Sequence, residues 1–167
     1  MANLVEGFIR KVETTDAPAI ASIYNRYVLE TAISFETEAV GVDEMRARIE
    51  HISKAYPYFV YECGGQIYGY CYVHQWKDRK AYDNTVETTL YVSMDHRHEG
   101  IGSLLLAHLV EACRTMGYHA LIACITDGNE ASIAIHSKFG FKQVSSFKQV
   151  GRKFGQWLDV VDMELLL

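Results

Sequence analysis

The chain of 167 residues has no apolar run of the length that crosses a bilayer. Its start, MANLVEGFIRKVE, lacks the basic opening and apolar block of a secretory signal, so a cytoplasmic protein without a membrane span is expected. Cys63, Cys71, Cys113 and Cys124 show no C-x-x-C spacing and fall in apolar strand or helix patterns. Buried free thiols are therefore expected, not a disulfide frame or a metal centre. Basic charge is in deficit too. Sixteen Lys and Arg against 21 Asp and Glu give a formal net charge of -5. Nucleic acid is a poor partner for such a balance, because phosphate backbones are bound by surplus cations. The histidines of HRH at 96–98 have no third ligand nearby, so no metal is expected. Repeats, low-complexity tracts and linkers are absent, and the length suits one domain over 1–167.

What is present is an alternation of short strands and amphipathic helices. FIRKVE (8–13) reads as a strand. The next segment, 16–31, reads as a helix with Asp16 as N-cap and Pro18 in its first turn, burying Ile20, Ile23, Tyr24, Tyr27 and Val28. A more exposed helix follows at 42–56. YFVYEC and IYGYCYVHQW are joined across Gly64-Gly65, the short glycine connection of a hairpin. A strand at 86–92, a helix at 100–116, a strand at 120–126 and a helix at 129–139 come next. KQVSSFKQVG and WLDVVDMELL form a last antiparallel pair. The class is α+β: a mixed, mostly antiparallel twisted sheet of six to seven strands with about four helices on its faces.

One stretch, RHEGIGSLLLAHL (97–109), puts two glycines at the mouth of a helix that follows a strand. Ile101, Leu104, Leu105, His108, Leu109, Ala112 and Met116 fall on one helical face, and Gly117 is placed to close the helix. Unpaired amides and the positive end of the dipole make such an N-terminus attractive to anions, and glycine lets a phosphate come close. It is not a dinucleotide fingerprint, since Leu105 stands where a third glycine belongs. Nor is it a P-loop, since the Gly-Lys-Ser/Thr ending is missing. Glycines that merely ease a tight turn would look the same.

The order of elements, with Arg97, Gly100 and Gly102 matching an Arg-x-x-Gly-x-Gly loop, resembles the GNAT superfamily of N-acetyltransferases. WKDRKAYDNTVETTLYV (76–92), NEASIAIHSKFGF (129–141) and VGRKFGQWLDVVDM (150–163) are similar to the branch that acetylates phosphinothricin, methionine sulfone and methionine sulfoximine. The resemblance implies acetyl-CoA as co-substrate, its pyrophosphate on the amides of His98, Glu99, Gly100, Ile101, Gly102 and Ser103 beside Arg97. It implies that the strand ending at Leu90, Tyr91 and Val92 splays from its neighbour, so that the pantetheine arm pairs with it like an added strand. Asn129 is implied as a further cofactor contact as well as an ordinary N-cap. A homodimer is implied too.

Acetyl transfer to an amine needs a base, a stabilised oxyanion and a proton for the leaving thiolate. The resemblance assigns the base to Glu87, directly or through water. It places His136 where related enzymes carry a proton donor, and its role as acid, second base or binding group stays open. Trp76, Lys77, Arg79 and Tyr82 precede the catalytic strand and are the candidates for the acceptor. Arg79 is the stronger cation for a carboxylate, because guanidinium binds it with two prongs. Lys77 stands where related sequences usually have arginine. Phe35 is a candidate apolar wall. The competing readings are another acceptor, such as a polyamine or a protein N-terminus, and a non-catalytic acetyl-CoA sensor. The Lys/Arg cluster argues against the first, and the retention of Glu87 and His136 against the second.

Overall fold

The computed structural model describes residues 6–167. In order, its elements are β1 (Phe8–Lys11), α1 (Ala17–Glu30), α2 (Val42–Ser53), β2 (Tyr58–Cys63) and β3 (Gln66–Gln75). Then come β4 (Thr85–Val92), α3 (Ile101–Thr115), β5 (Ala120–Thr126), α4 (Glu130–Lys138), β6 (Lys142–Gln143), β7 (Phe147–Lys153) and β8 (Gln156–Leu166). The strands form one sheet in the order β1-β2-β3-β4-β5-β8-β6, with β7 also on β8. Every pairing is antiparallel except β4 with β5, where α3 supplies the crossover.

Strand alternation decides which face each side chain meets. On β2, Tyr58 and Val60 pack under α1 and α2 with Ile20, Ile23 and Ile49, while Phe59 and Tyr61 pack with Leu105, Leu106 and Leu109 of α3 on the other face. On β4 the even positions, beginning with Val86, join the α3 side. Glu87, Thr89 and Tyr91 therefore face the α1 side. Among the described residues no helix is long and apolar enough to cross a membrane.

Among the described residues the sheet has eight strands where six to seven were expected. The segment 142–151 is not one strand: it breaks into β6 and β7, which pair with separate lengths of β8. The break has a local cause, because the Ser145 hydroxyl accepts from the Asp162 amide at 3.0 Å in place of a main-chain partner. Asp16 does not cap α1 with its side chain. Its carboxylate instead accepts from both terminal nitrogens of Arg10 at 2.8 Å and from the Glu13 amide at 2.8 Å. Burial works to raise the Asp16 carboxyl, but those hydrogen bonds outweigh it and hold it below the usual carboxylate range.

Cys71 and Cys113 are buried free thiols, whereas Cys63 is half-buried and Cys124 is exposed. Cys124 points to the α1 face of the sheet, where α1 and α2 pack on β2 to β4 and do not reach it.

The face of α3 is also rotated from the one expected. Ile101, Leu105 and Leu109 are buried as expected, but Leu106, Val110 and Cys113 complete the stripe, and Leu104 and Met116 are 44% and 53% exposed. With leucine at three consecutive positions, apolar spacing alone fits either stripe, and packing against β3 and β4 selects one. Leu105→Ala is expected to lower unfolding free energy by about 2–5 kcal/mol in a urea titration, the usual loss for a buried leucine. Leu104→Ala is expected to cost less than about 1 kcal/mol, as a surface change does. Equal losses would restore the other face.

Candidate active site

The site is made by a strand pair that stops early. β4 and β5 pair only through Thr85–Ala120, Val86–Leu121 and Glu87–Ile122. Beyond Glu87 no ladder joins them, so the β5-facing edge of residues 88–92 is left open. Two adjoining hollows fill the resulting wedge. A groove of about 540 Å³ is lined by Leu90, Tyr91, Val92, Arg97, His98, Gly100, Ile101, Gly102, Ser103 and Asn129. A smaller cavity of about 150 Å³ holds Glu87 and His136 together, along with Cys124. Ile33, Leu90, Tyr91, Asn129 and Ser132 line both, so the two hollows adjoin.

The groove ends at the N-terminus of α3. The first amide there with a helical partner is that of Leu104, which donates to the Gly100 carbonyl at 3.1 Å. Among the described residues the amides of residues 98–103 donate to no protein acceptor, as expected of the first turn of a helix. Gly100 has φ of +83°, a conformation that side chains rarely adopt, and a β-carbon there would meet nothing. Gly102 answers a different need. A β-carbon at 102 would lie 3.2 Å from Cδ1 of Ile135, so this glycine lets α3 approach α4. Glu99 alone of the expected loop residues does not line the groove; its carboxylate is turned to His96 at 3.3 Å. His96 in turn stacks on Tyr68, with ring centroids 3.7 Å apart.

The opposite wall comes from α4. Asn129 caps it, its side-chain oxygen accepting from the Ser132 amide at 3.3 Å. Ala131, Ala134, Ile135 and Lys138 then line the groove at the spacing of one helical face. That spacing after the Asn129 cap was the sequence signal for these residues, which were not anticipated. Tyr27 of α1 was missed too: it lines the groove and its hydroxyl donates to the Val92 carbonyl at 2.6 Å. Position 27 reads only as core in the helical pattern.

Glu87 lies opposite His74 of β3, whose Nε2 is 3.8 Å from its carboxylate. Burial raises the proton affinity of the Glu87 carboxyl; His74 opposes this and the negative charge of Asp162 adds to it. His136 is buried, with its ring edge-on to Phe141. Its Nδ1 lies 2.8 Å from the Ser132 carbonyl. A carbonyl only accepts, so Nδ1 carries the hydrogen and the neutral ring keeps a lone pair on Nε2.

The other acceptor candidates stand apart from both hollows. Lys77 lies over the Trp76 ring at 4.1 Å, and Trp76 meets Tyr82 edge to face. Arg79 is exposed at the start of the turn before β4. Phe35 packs on Gly151 of β7, where any β-carbon would collide with its ring. None of these five lines either hollow in the single chain.

A family model described as the Acetyltransferase (GNAT) domain matches residues 9–161. The chain is 39% identical over 158 residues to a phosphinothricin N-acetyltransferase of Alcaligenes faecalis, covering 93% of this chain and 80% of that protein. It is 37% identical over 160 residues to an L-methionine sulfoximine/L-methionine sulfone acetyltransferase of Salmonella typhimurium, covering 95% and 94%. A Sinorhizobium meliloti phosphinothricin acetyltransferase, solved in complex with AcCoA, superposes with a TM-score of 0.93 at 34% identity, over 96% of this chain and 88% of that one. The chain therefore belongs to the GNAT acetyltransferase family.

Burial lowers the proton affinity of His136, and the Ser132 carbonyl opposes this only in part. The ring is therefore expected to titrate below its ordinary 6.5 and to stay neutral at pH 7, as read by NMR of the imidazole protons. The unfolded chain takes up that proton near 6.5, so the stability tied to neutral His136 is complete above 6.5 and is lost as pH falls through the lower folded value. A ring that titrates above 6.5 would overturn this.

Proposed function

We propose that the protein is a single-domain, cytoplasmic N-acetyltransferase that uses acetyl-CoA to acetylate the α-amine of a small amino-acid analogue. Methionine sulfone, methionine sulfoximine and phosphinothricin define the acceptor class, and detoxification is its physiological sense. The observation that carries this reading is the shared cavity of Glu87 and His136, adjoining a groove that ends on the free amides of α3. Four unpaired thiols suit a reducing compartment.

The groove suits acetyl-CoA on three counts. The first turn of α3 offers unpaired amides to a pyrophosphate, the open edge of β4 at 88–92 offers main-chain groups to an extended amide arm, and Lys138 adds a cation at the wall. The co-substrate supplies an acetyl group already activated as a thioester. What the chain must supply is a deprotonated amine and a polar environment for the carbonyl under attack. Glu87 attracts the ammonium form and takes its proton, directly or through water, and its raised proton affinity suits that task. His136, with its lone pair on Nε2, serves as a second acceptor for that proton, and once it holds the proton there it returns it to the departing thiolate. The Val92 amide faces the open edge of β4 where it meets the groove, whereas the ladder register turns the Tyr91 amide to β3, which supports Val92 as the donor to the acetyl oxygen.

Arg79 and Lys77 lie near the end of β4 that carries Glu87, and neither has a carboxylate partner among the described residues. That supports them as cations for the acceptor carboxylate, with Trp76 and Tyr82 bracing Lys77. Ile33, which lines both hollows, supplies an apolar wall, and Phe35 two residues further on holds that segment by seating its ring on Gly151. A homodimer is supported by the exposed apolar side chains of β7, β8 and their turn: Phe147, Val150, Phe154 and Trp157. Light scattering is expected to give twice the chain mass of 19.0 kDa, and a monomer at working concentration would refute the pairing.

Thiol release is expected with acetyl-CoA and methionine sulfone but not with polyamines or an N-terminal peptide. Glu87→Gln is expected to lower kcat/KM for the amino-acid acceptor by roughly 10²- to 10⁴-fold at neutral pH while leaving acetyl-CoA affinity nearly unchanged. Part of the loss should return at higher pH, where the amine arrives deprotonated. Near wild-type turnover by Glu87→Gln at neutral pH would remove Glu87 as the base.

A further inference from the structure

Behind the cavity that holds Glu87 lies a second acid. Asp162 of β8 pairs in register with Cys124 of β5, and its Oδ1 accepts from the Cys124 thiol at 2.8 Å. Cys124 lines the Glu87 cavity. Strand alternation puts all three on one face: Glu87 pairs with Ile122, and Cys124 is two residues further along the same strand. Burial and the neighbouring Asp162 carboxylate push the Cys124 thiol up to about 12, so at neutral pH the thiol remains a donor to that carboxylate. Compensation is sparse. Asp162 has no ion pair among the described residues, Glu87 has only His74 at 3.8 Å, and no lysine or arginine lines the cavity. Lys148, on the nearby β7, is committed to Asp159 at 3.0 Å and Asp127 at 3.7 Å.

We infer that Asp162 is a specificity-determining residue: seated behind Cys124, it gives the acceptor cavity a second negative charge, which favours acceptors with an uncharged head group over those with an anionic one. This rests on the amino-acid acetyltransferase reading above and narrows its substrate class. Glu87 alone suffices to receive one ammonium. A further uncompensated carboxylate on the same face repels any oxyanion that follows the amine into the cavity, and partial burial leaves that repulsion poorly screened. The acceptor's own carboxylate is met by the cations of the 76–82 loop, which lie outside the cavity. Methionine sulfone and phosphinothricin isolate the effect, since they share the amino-acid part and differ in carrying a neutral sulfone or an anionic phosphinate.

The test compares kcat/KM for these two acceptors in the wild-type protein and in Asp162→Asn, which keeps the shape and removes the charge. Wild type is expected to favour the sulfone by about tenfold or more, and Asp162→Asn to narrow that ratio several-fold by raising phosphinothricin turnover. A second arm needs no variant. Raising ionic strength from ~20 mM to ~500 mM should narrow the wild-type ratio, because salt screens the repulsion. A wild-type preference for phosphinothricin, or a ratio that neither Asp162→Asn nor salt changes, would overturn the role of Asp162 alone. Absence of turnover with both acceptors would instead overturn the proposed function. Should Asp162→Asn fail to fold, the salt series on the wild-type protein decides.

Discussion

Three residue pairs between β4 and β5, and no more, set up everything else in this molecule. A parallel ladder that ran on to Val92 would occupy the edge of β4, close the wedge and leave no room between α3 and α4. Because it stops at Glu87, one strand holds the acid at its paired end and open main-chain groups at its free end. The distance between base and binding edge is thus fixed by the rise of a single strand, a rigid spacer. The energy for the gap comes from both faces, where Leu105, Leu109 and Val86 on one side and Ile20, Ile49 and Tyr70 on the other hold the halves of the sheet in place.

The wedge leaves polar groups that the fold has to stabilise by other means. The Val92 carbonyl is taken by the Tyr27 hydroxyl, so α1 anchors the free end of β4. The rings of Tyr24 and Tyr27 pack edge-on to Tyr91, which stiffens the same end without using its main chain. On the far side, the Thr126 hydroxyl donates to the Ala32 carbonyl at 2.9 Å and ties the end of β5 to the segment after α1. Both strands are thus fastened to the same neighbourhood after they part, which keeps the opening at one width.

Much of this was legible in the sequence, and for reasons that can be named. The strand, loop and helix around RHEGIGSLLLAHL were readable because glycines, β-branched residues and helical spacing each act locally. Gly100 and Gly117 do adopt positive φ, and α3 lies between them. What was not legible depends on partners distant in the chain. Leu104 and Leu105 are equivalent in a helical pattern until the sheet chooses between them. Cys124 sits in an apolar run and reads as core, yet the face it meets is uncovered, because α1 and α2 end their cover at β4. Asp162 reads as a polar break in a strand; only the β5–β8 register joins it to Cys124. The Glu87 and His136 placements came from resemblance, since nothing in their local spacing ties a strand glutamate to a helix histidine.

Lys153 has a bearing on how the chain is made. Buried on β7, it donates to the Ser34 carbonyl at 2.6 Å across 119 positions of sequence. Its neighbour Gly151 leaves just enough space for the Phe35 ring. The segment after α1 is therefore a lock whose key is synthesised late: while a ribosome is still making the β7–β8 hairpin, residues 33–36 lack their seat and β5 presents a bare edge. Helices and the β1–β4 meander can form earlier from local contacts, but the acceptor side of the site can be set only after β8 has inserted beside β5.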